Sequence, residues 1–174
     1  MVLPRFDPLL AYNFQIALID DSSTLGVLGS VAGTLLGGFS ECTGLETTLN
    51  IYEYAEGGVN DRIRRFPSRI TYESNIVLRR GVGLGEGLWL WHQEFMEGKG
   101  KRRTGMIFLF GDVAGVPVPI KTWAFERALP VKWTGPAFNA QASQISIEAL
   151  EIAIEKLTLV SPGTLASAAL GAIF

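Results

Sequence analysis

The chain has 174 residues, of which 48% are hydrophobic and 18% are charged. This length predicts a single domain over residues 1–174, and this balance excludes a disordered chain. The formal net charge of −2 excludes a global positive field for nucleic acid, and the single cysteine, Cys42, excludes an intrachain disulfide. The single histidine, His92, excludes metal sites that need two histidines from one chain.

Two charge-free stretches stand out: a glycine-rich apolar insert at residues 22–38 and an apolar C-terminal tail at residues 158–174. A membrane-spanning helix needs ~20 mostly apolar residues, and glycines dilute the insert while Pro162 and Gly163 break the tail. We therefore expect no membrane span. Residues 1–8 contain two prolines and lack the apolar run of a secretory signal, so we expect synthesis in the cytoplasm.

Alternating apolar and polar residues predict a mainly β chain. The predicted strands cover residues 12–18, 46–54, 70–80, 106–110 and 117–128, with an extended segment at 131–133. Residues 56–61 are rich in turn formers and predict a loop or hairpin tip. Residues 144–157 fit either a bulged strand or a helix, because their apolar phase reverses midway.

One short helix is predicted at residues 88–96. Leu88, Trp91 and Phe95 share one face of it and are the candidate structural core of the helix. Trp89 and Met96 lie on another face, and a helix that is apolar on more than one side is buried or sits at an interface.

No motif assembles a catalytic, cofactor or metal site, so we expect a protein that is not an enzyme and has no cofactor. The glycines of residues 81–87 lie between a strand and a helix, but Glu86 and Leu88 break the spacing of a dinucleotide loop. We interpret His92 as a packed or surface side chain and Cys42 as a buried, inert thiol.

Two acidic pairs and one basic cluster remain. We interpret the pairs Glu53–Glu56 and Glu148–Glu151 as solvated surface rather than as paired catalytic carboxylates. The cluster holds Arg62, Arg64, Arg65 and Arg69 in one predicted loop region, with acidic residues on its flanks. Mixed charge signs favour contact with a second copy of the same region over binding of nucleic acid.

An ordered set of segments resembles the tail tube proteins of contractile phage tails and phage-tail-like contractile injection systems. These segments read FSECTGLE at 39–46, YAEGGVN at 54–60, RRFP at 64–67, NIVLRRGV at 75–82, LWLW at 88–91, PVKWTGP at 130–136, NA at 139–140 and IEALE at 147–151. The resemblance covers roughly residues 7–157, in the order in which the family has them. It implies that the ambiguous segment at residues 144–157 is a strand.

The resemblance also implies a small β-barrel or sandwich with one flanking helix, which assembles into sixfold rings that stack into a hollow tube. The implied partners are further copies of the chain, sheath, spike or baseplate proteins, and a payload protein or DNA in the lumen, without specific nucleic-acid binding. The product would be part of a virion tail or an injection particle. The candidate contact residues between subunits and rings are Glu56, Gly57, Gly58, Asn60, Asp61, Arg62, Arg64 and Arg65.

Three departures from the family pattern favour a specialised member as an alternative, such as a tube initiator or an adaptor to the baseplate. Ser68 follows Pro67 where the family often has glycine, and the insert and the tail are additions. A second alternative is a monomeric β-barrel that binds one small ligand. Its cavity would be lined by Trp89, Trp91, Trp123 and Trp133.

Overall fold

The computed structural model describes residues 10–20, 38–83, 85–113, 115–141 and 143–160. Nearly all of the predicted insert, and the predicted tail beyond residue 160, lie outside the described residues. The expectations for the insert and for most of the tail therefore stay predictions.

The described chain is mainly β with one short helix, as its alternating pattern predicts. The strands are β1 (Phe14–Asp20), β2 (Phe39–Thr43), β3 (Thr48–Tyr54), β4 (Arg64–Thr71), β5 (Ile76–Gly81), β6 (Arg103–Val113), β7 (Val116–Thr134), β8 (Ile147–Ala153) and β9 (Lys156–Val160). The helix α1 (Gly87–Met96) lies between β5 and β6.

Seven strands form one antiparallel sheet, in which six follow the order β1-β6-β7-β8-β5-β2 and the seventh, β9, pairs with β7. The 19-residue strand β7 divides this sheet into two half-sheets. Its residues 122–126 lie between β6 and β9, and its residues 129–134 pair with β8. Within the described chain, the end strands β1 and β2 do not pair with each other, so the fold is a sandwich and not a closed barrel.

The bend of β7 from one half-sheet to the other has a local cause at Arg127. This residue has a φ of 54°, the left-handed conformation that side chains with a Cβ rarely adopt. Glu155 stabilises the corner, because its carboxylate accepts hydrogen bonds from Arg127 Nε at 2.8 Å and from Arg102 Nη1 at 2.5 Å. A register shift between Pro130 and Lys132 follows at once. Long strands that turn between packed sheets commonly do so at bends and bulges.

The inward faces of both half-sheets form one hydrophobic core, with the helix packed against it. Its members are fully or almost fully buried: Ile16, Leu18, Ile76, Leu78, Leu88, Trp91, Ile107, Phe125, Ala128, Leu150 and Ile152. Because side chains alternate between the faces of a strand, Ile76 and Leu78 on β5 meet Leu150 and Ile152 on β8 from the same side.

Two sequence-based predictions are corrected by the strand boundaries. Residues 70–80 are not one strand, because β4 ends at Thr71 and β5 begins at Ile76. The arginine cluster, predicted as a loop, lies mainly on β4. Residues 144–157 are extended and contribute β8 and the start of β9, in agreement with the implication of the resemblance.

Candidate assembly interface

Strands β3 and β4 form a two-stranded hairpin that pairs with no other strand of the described chain. The hairpin extends the paired strands β2 and β5. The two chain segments that connect it to these strands, which we call its root, lie close together. Gly44 has a φ of 85°, and a Cβ added there would lie 2.1 Å from the carbonyl oxygen of Asn75. The Ser74 hydroxyl donates a hydrogen bond to the Glu46 carboxylate across the same root. Only glycine permits this close approach of the two chain segments.

Both faces of the hairpin are apolar and exposed. The register places Leu49 opposite Ile70 and Ile51 opposite Pro67 on one face, which we call the aliphatic face. It places Tyr52 opposite Phe66 on the other face, which we call the aromatic face and which Tyr54 extends. The seven large apolar side chains from Leu49 to Ile70 are between 46% and 61% exposed. A lone two-stranded hairpin is at best marginally stable in water, and no strand of the described residues pairs with this one to stabilise it.

Each face ends in an ion pair near the tip of the hairpin. Arg65 Nε lies 3.0 Å from Glu53 Oε1, and Arg64 Nε lies 2.7 Å from Glu56 Oε2. The four side chains are between 41% and 67% exposed. Such exposed pairs stabilise a fold little, commonly by about 0–1 kcal/mol, so their charges are available to a partner.

The connection between β3 and β4 holds the remaining candidate contact residues. It turns at Gly58, whose φ is 87°, and the Val59 amide donates to the Glu56 carbonyl at 3.1 Å. Glu56, Gly57, Gly58, Asn60, Asp61 and Arg62 lie in this tip, and Arg64 and Arg65 begin β4. The tip borders an open hollow of about 570 Å³, and the exposed Ile63 is one of its lining residues. The structure thus brings all eight residues together on one projecting element.

The sandwich also presents unpaired strand edges. In the part of the chain that the structure describes, the outer edges of β1, β2 and β9 carry no neighbouring strand. Unpaired edges offer rows of N–H and C=O groups to another chain. The edges and the hairpin therefore give the molecule several surfaces suited to contact with other subunits.

The three residues predicted as the core of the helix pack into the hydrophobic core of the sandwich. Leu88 and Trp91 are fully buried, and Phe95 packs partly buried against the same core. Trp91 Nε1 donates to the Lys101 carbonyl at 2.9 Å, and the Arg103 guanidinium lies 5.0 Å from the Trp91 ring centroid. These contacts fix the helix on the sandwich.

Sequence reasoning missed a buried ion pair and assigned one of its members to the solvated surface. Arg80 and Glu148 are almost fully buried, with Arg80 Nε 2.6 Å from Glu148 Oε1. Arg80 Nη2 donates to the Gly85 carbonyl at 2.7 Å, and Trp133 Nε1 donates to the second Glu148 oxygen at 3.2 Å. Glu148 and Leu150 are two positions apart on β8 and therefore point to the same buried face of the strand. This alternation was the sequence signal that could have predicted the burial of Glu148.

The residues weighed for other functions are scattered. Burial raises the pKa of the Cys42 thiol to about 11, which leaves it protonated and unreactive near neutral pH. Trp91 is in the core, Trp89 stacks edge-on against Trp133 at 4.7 Å, and Trp123 lines a different cleft. The four tryptophans therefore do not line one common cavity.

The described residues offer neither a metal site nor a membrane-spanning helix. Among them, no group of three or more His, Cys, Asp or Glu side chains is placed to hold a metal ion. The one helix found there is too short to cross a bilayer.

Open strand edges and a projecting apolar hairpin are typical of subunits that assemble with other chains. The family model of the T4-like virus tail tube protein gp19 matches residues 10–158. The chain therefore belongs to this family of tail tube proteins, which confirms the resemblance drawn from its sequence segments. The family is structural and not enzymatic. No curated protein sequence matches the chain.

Solved structures support the same fold. The chain is similar to a chain of the anti-feeding prophage baseplate, with 22% identity and a TM-score of 0.74 over 90% of this chain and 98% of that one. It is similar to a chain of the anti-feeding prophage tube-terminating cap, with 21% identity and a TM-score of 0.73 over 92% and 96%. A chain of the PVC sheath–tube complex, from an extracellular contractile injection system, matches with 22% identity and a TM-score of 0.69 over 88% and 92%.

Proposed function

We propose that this protein is a subunit of the inner tube of a contractile injection particle or phage tail, in which six copies form a ring and the rings stack into a hollow conduit. The observation that carries the proposal is the hairpin of β3 and β4, which is exposed and apolar on both faces. The family match to tail tube proteins supports the same function.

The hairpin supplies a driving force for association. Full burial of a large apolar side chain contributes ~1.5–3 kcal/mol, so burying the exposed half of one contributes about 1 kcal/mol. For the seven large apolar side chains of the hairpin, the sum is about 7 kcal/mol per subunit. Loss of translational and rotational freedom on association opposes this with ~4–15 kcal/mol. The hairpin therefore offsets a large part of that loss, and pairing of free strand edges adds to it.

Ring closure follows from a head-to-tail contact between non-identical surfaces. When the rotation between neighbours closes, such a contact produces a ring rather than an open filament. Strand edges of successive subunits then pair into one wide barrel, whose diameter grows with the number of strands. The sixfold symmetry is part of the proposal, and it is supported by the sixfold symmetry applied to the anti-feeding prophage baseplate that contains a similar chain.

The proposed partners beyond the tube are sheath and baseplate proteins, because chains of similar fold belong to a sheath–tube complex and to a baseplate. A similar chain also occurs in a tube-terminating cap, which supports the alternative of a specialised member at one end of the tube. The insert at residues 22–38 and the tail at 158–174 are the candidate segments for docking such partners. The lumen passes a payload protein or DNA without specific recognition, and the tube functions inside an assembled particle.

Electron microscopy of the purified protein tests the proposal. We expect sixfold rings or tubes in negative stain, with a mass in solution that corresponds to six copies or more. A protein that stays monomeric at every concentration, with the hairpin protected from proteases, would overturn the proposal. That result would mean that the chain covers its own hairpin.

The candidate contact residues at the tip have their own test. Arg64→Glu with Arg65→Glu reverses two exposed charges, and we expect rings that no longer stack into long tubes. The matched control adds Glu53→Lys and Glu56→Lys. It restores both ion pairs within the hairpin, but the charges that face a neighbouring subunit remain reversed. We expect this control to stack as poorly as the double variant. Tubes of normal length in the double variant would falsify the placement of the contact.

A further inference from the structure

Three chain segments meet at the corner of β7, where this strand passes from one half-sheet to the other. Arg127 forms the corner, Glu155 lies in the connection from β8 to β9, and Arg102 lies directly before β6. The two oxygens of the Glu155 carboxylate accept from Arg127 Nε at 2.8 Å and from Arg102 Nη1 at 2.5 Å. One carboxylate therefore joins the three segments.

Arg127 has a backbone conformation that its own side chain disfavours. Its φ of 54° is the only positive value of a non-glycine residue in the part of the chain that the structure describes. In this conformation the Cβ crowds the backbone, so the residue would return to negative φ unless surrounding contacts held it. That return changes one backbone torsion by more than about 100° and would point one part of β7 in a new direction against the other.

Contacts from two sides hold Arg127 in place. Glu155 binds its guanidinium, and Arg102 Nη1 donates to its backbone carbonyl at 3.2 Å. The segment that carries Arg102 is fixed in turn, because the Lys101 carbonyl accepts from Nε1 of the buried Trp91 at 2.9 Å. The corner is thus tied to the helix and to the connection between β8 and β9.

The three charged side chains of the corner are between 35% and 56% exposed. Exposed ion pairs contribute little to the free energy of unfolding. They can still select between two conformations of a folded chain, because small free-energy differences shift such an equilibrium. The network is therefore suited to choosing the geometry of the corner rather than to keeping the domain folded.

We propose that Glu155 is a positioning residue that fixes the angle between the two half-sheets by holding Arg127 in its left-handed conformation, and that this angle determines whether the ring closes. The second part of the inference rests on the proposed tube function. The unpaired edges of β1 and β9 belong to one half-sheet and that of β2 belongs to the other. When edges of neighbouring subunits pair, the angle between the half-sheets therefore enters the rotation from one subunit to the next.

The tolerance for this angle is small. A ring of six closes at about 60° per subunit and a ring of seven at about 51°, so a change of about 9° alters or prevents closure. A torsion that relaxes by more than about 100° at the corner needs to transmit only a small part of that change. Loss of the Glu155 contact should therefore affect closure although it hardly affects folding.

A distance measurement on the monomer tests the corner without any ring. In a Cys42→Ser background, nitroxide labels are placed at Thr158→Cys on β9 and at Thr134→Cys on β7 beyond the corner, two exposed positions on different half-sheets. Below the concentration at which rings form, electron paramagnetic resonance should give one narrow distance distribution. Glu155→Gln should broaden it, and an unchanged distribution in this variant would contradict the positioning role.

Two substitutions of Arg127 separate backbone strain from the ion pair. Arg127→Ala and Arg127→Gly both remove the guanidinium, but only alanine keeps a Cβ in the left-handed conformation. We expect Arg127→Ala to broaden the distribution as Glu155→Gln does, and Arg127→Gly to keep it narrow. Equal distributions in these two variants would show that strain plays no part, and the proposal would fail.

Glu126→Gln is the matched control. Glu126 is 44% exposed and Glu155 is 48% exposed, and each accepts from a cationic side chain at 2.8 Å. The partner of the Glu126 carboxylate is Lys156 and not Arg127. We therefore expect this control to leave the distance distribution and the rings unchanged, and a broadening equal to that of Glu155→Gln would remove the specific role of Glu155.

Negative-stain electron microscopy tests the consequence for the ring. In Glu155→Gln we expect the fraction of closed rings of one diameter to fall by about threefold or more, with open arcs or rings of other sizes in their place. Arg127→Gly should close normally. Uniform closed rings in Glu155→Gln would overturn the link from the corner to the ring. Absence of rings in the unmodified protein would overturn the tube function and that link together, while the monomer distances still decide whether Glu155 holds the corner.

Discussion

Removing the carboxylate of Glu148 should destabilise the domain strongly, because it leaves the Arg80 guanidinium buried without its counter-charge. The side chains of Arg80 and Glu148 are only 10% and 9% exposed. Breaking a buried pair by removing one partner costs about 3–5 kcal/mol. For a domain of this size each kcal/mol lowers Tm by about 2–4 °C, so Glu148→Ala should lower Tm by roughly 6–20 °C.

A matched control separates burial from charge. Glu41 and Arg79 form a pair of the same residue types at 3.0 Å, but both side chains are about half exposed. Glu41→Ala should therefore cost under about 1 kcal/mol. Replacing both buried partners, with Arg80→Met and Glu148→Leu, should recover most of the loss because no unpaired charge remains.

The assay is urea unfolding below the concentration at which rings form, because association raises apparent stability by mass action. Equal losses for Glu148→Ala and Glu41→Ala would refute the reasoning, since burial is the property in which the two pairs differ most.

Three further predictions concern the thiol and the hairpin. The pKa of Cys42 is raised from 9.0 to about 11, so the folded state holds its proton more tightly. Unfolding should therefore become easier as pH rises through that window, and more steeply in the unmodified protein than in Cys42→Ala, because tyrosines and lysines titrate there in both proteins. Gly44→Ala should cost about 1–3 kcal/mol by urea unfolding, because of its positive φ and the Asn75 carbonyl, whereas Gly57→Ala, with open space around it, should change little. Phe66→Ser should leave the unfolding of the monomer nearly unchanged and weaken assembly about tenfold or more in sedimentation, since aromatic side chains dominate interfaces.

The first strand and the tip of the hairpin could be predicted from sequence, because their information is local, whereas β4 was predicted as a loop. Alternation over residues 46–54 places Leu49 and Ile51 on one face and Tyr52 on the other, and the strand register agrees. The turn formers at residues 56–61 mark the tip. The helix is equally local, since the spacing of its apolar residues defines one buried stripe.

The rest depends on contacts between residues distant in the chain. The bend of β7 at Arg127 is stabilised by Glu155, and nothing in the sequence around Arg127 indicates a left-handed residue there. Glu148 reads as solvated until Arg80, 68 positions away, is placed beside it.

The hairpin shows how a sequence pattern can indicate a contact between chains that the fold of a single chain does not explain. A strand with apolar residues on both faces predicts burial on both sides, and in an isolated domain that means a central position in the core. Here Leu49 and Tyr52 have opposite faces and both are exposed. In the proposed tube, other chains supply these covering surfaces, so the pattern that would indicate a core strand indicates a subunit contact instead. The charges near the tip fit this account, since Glu53 and Arg65 are at least half exposed and stay available to a neighbouring subunit.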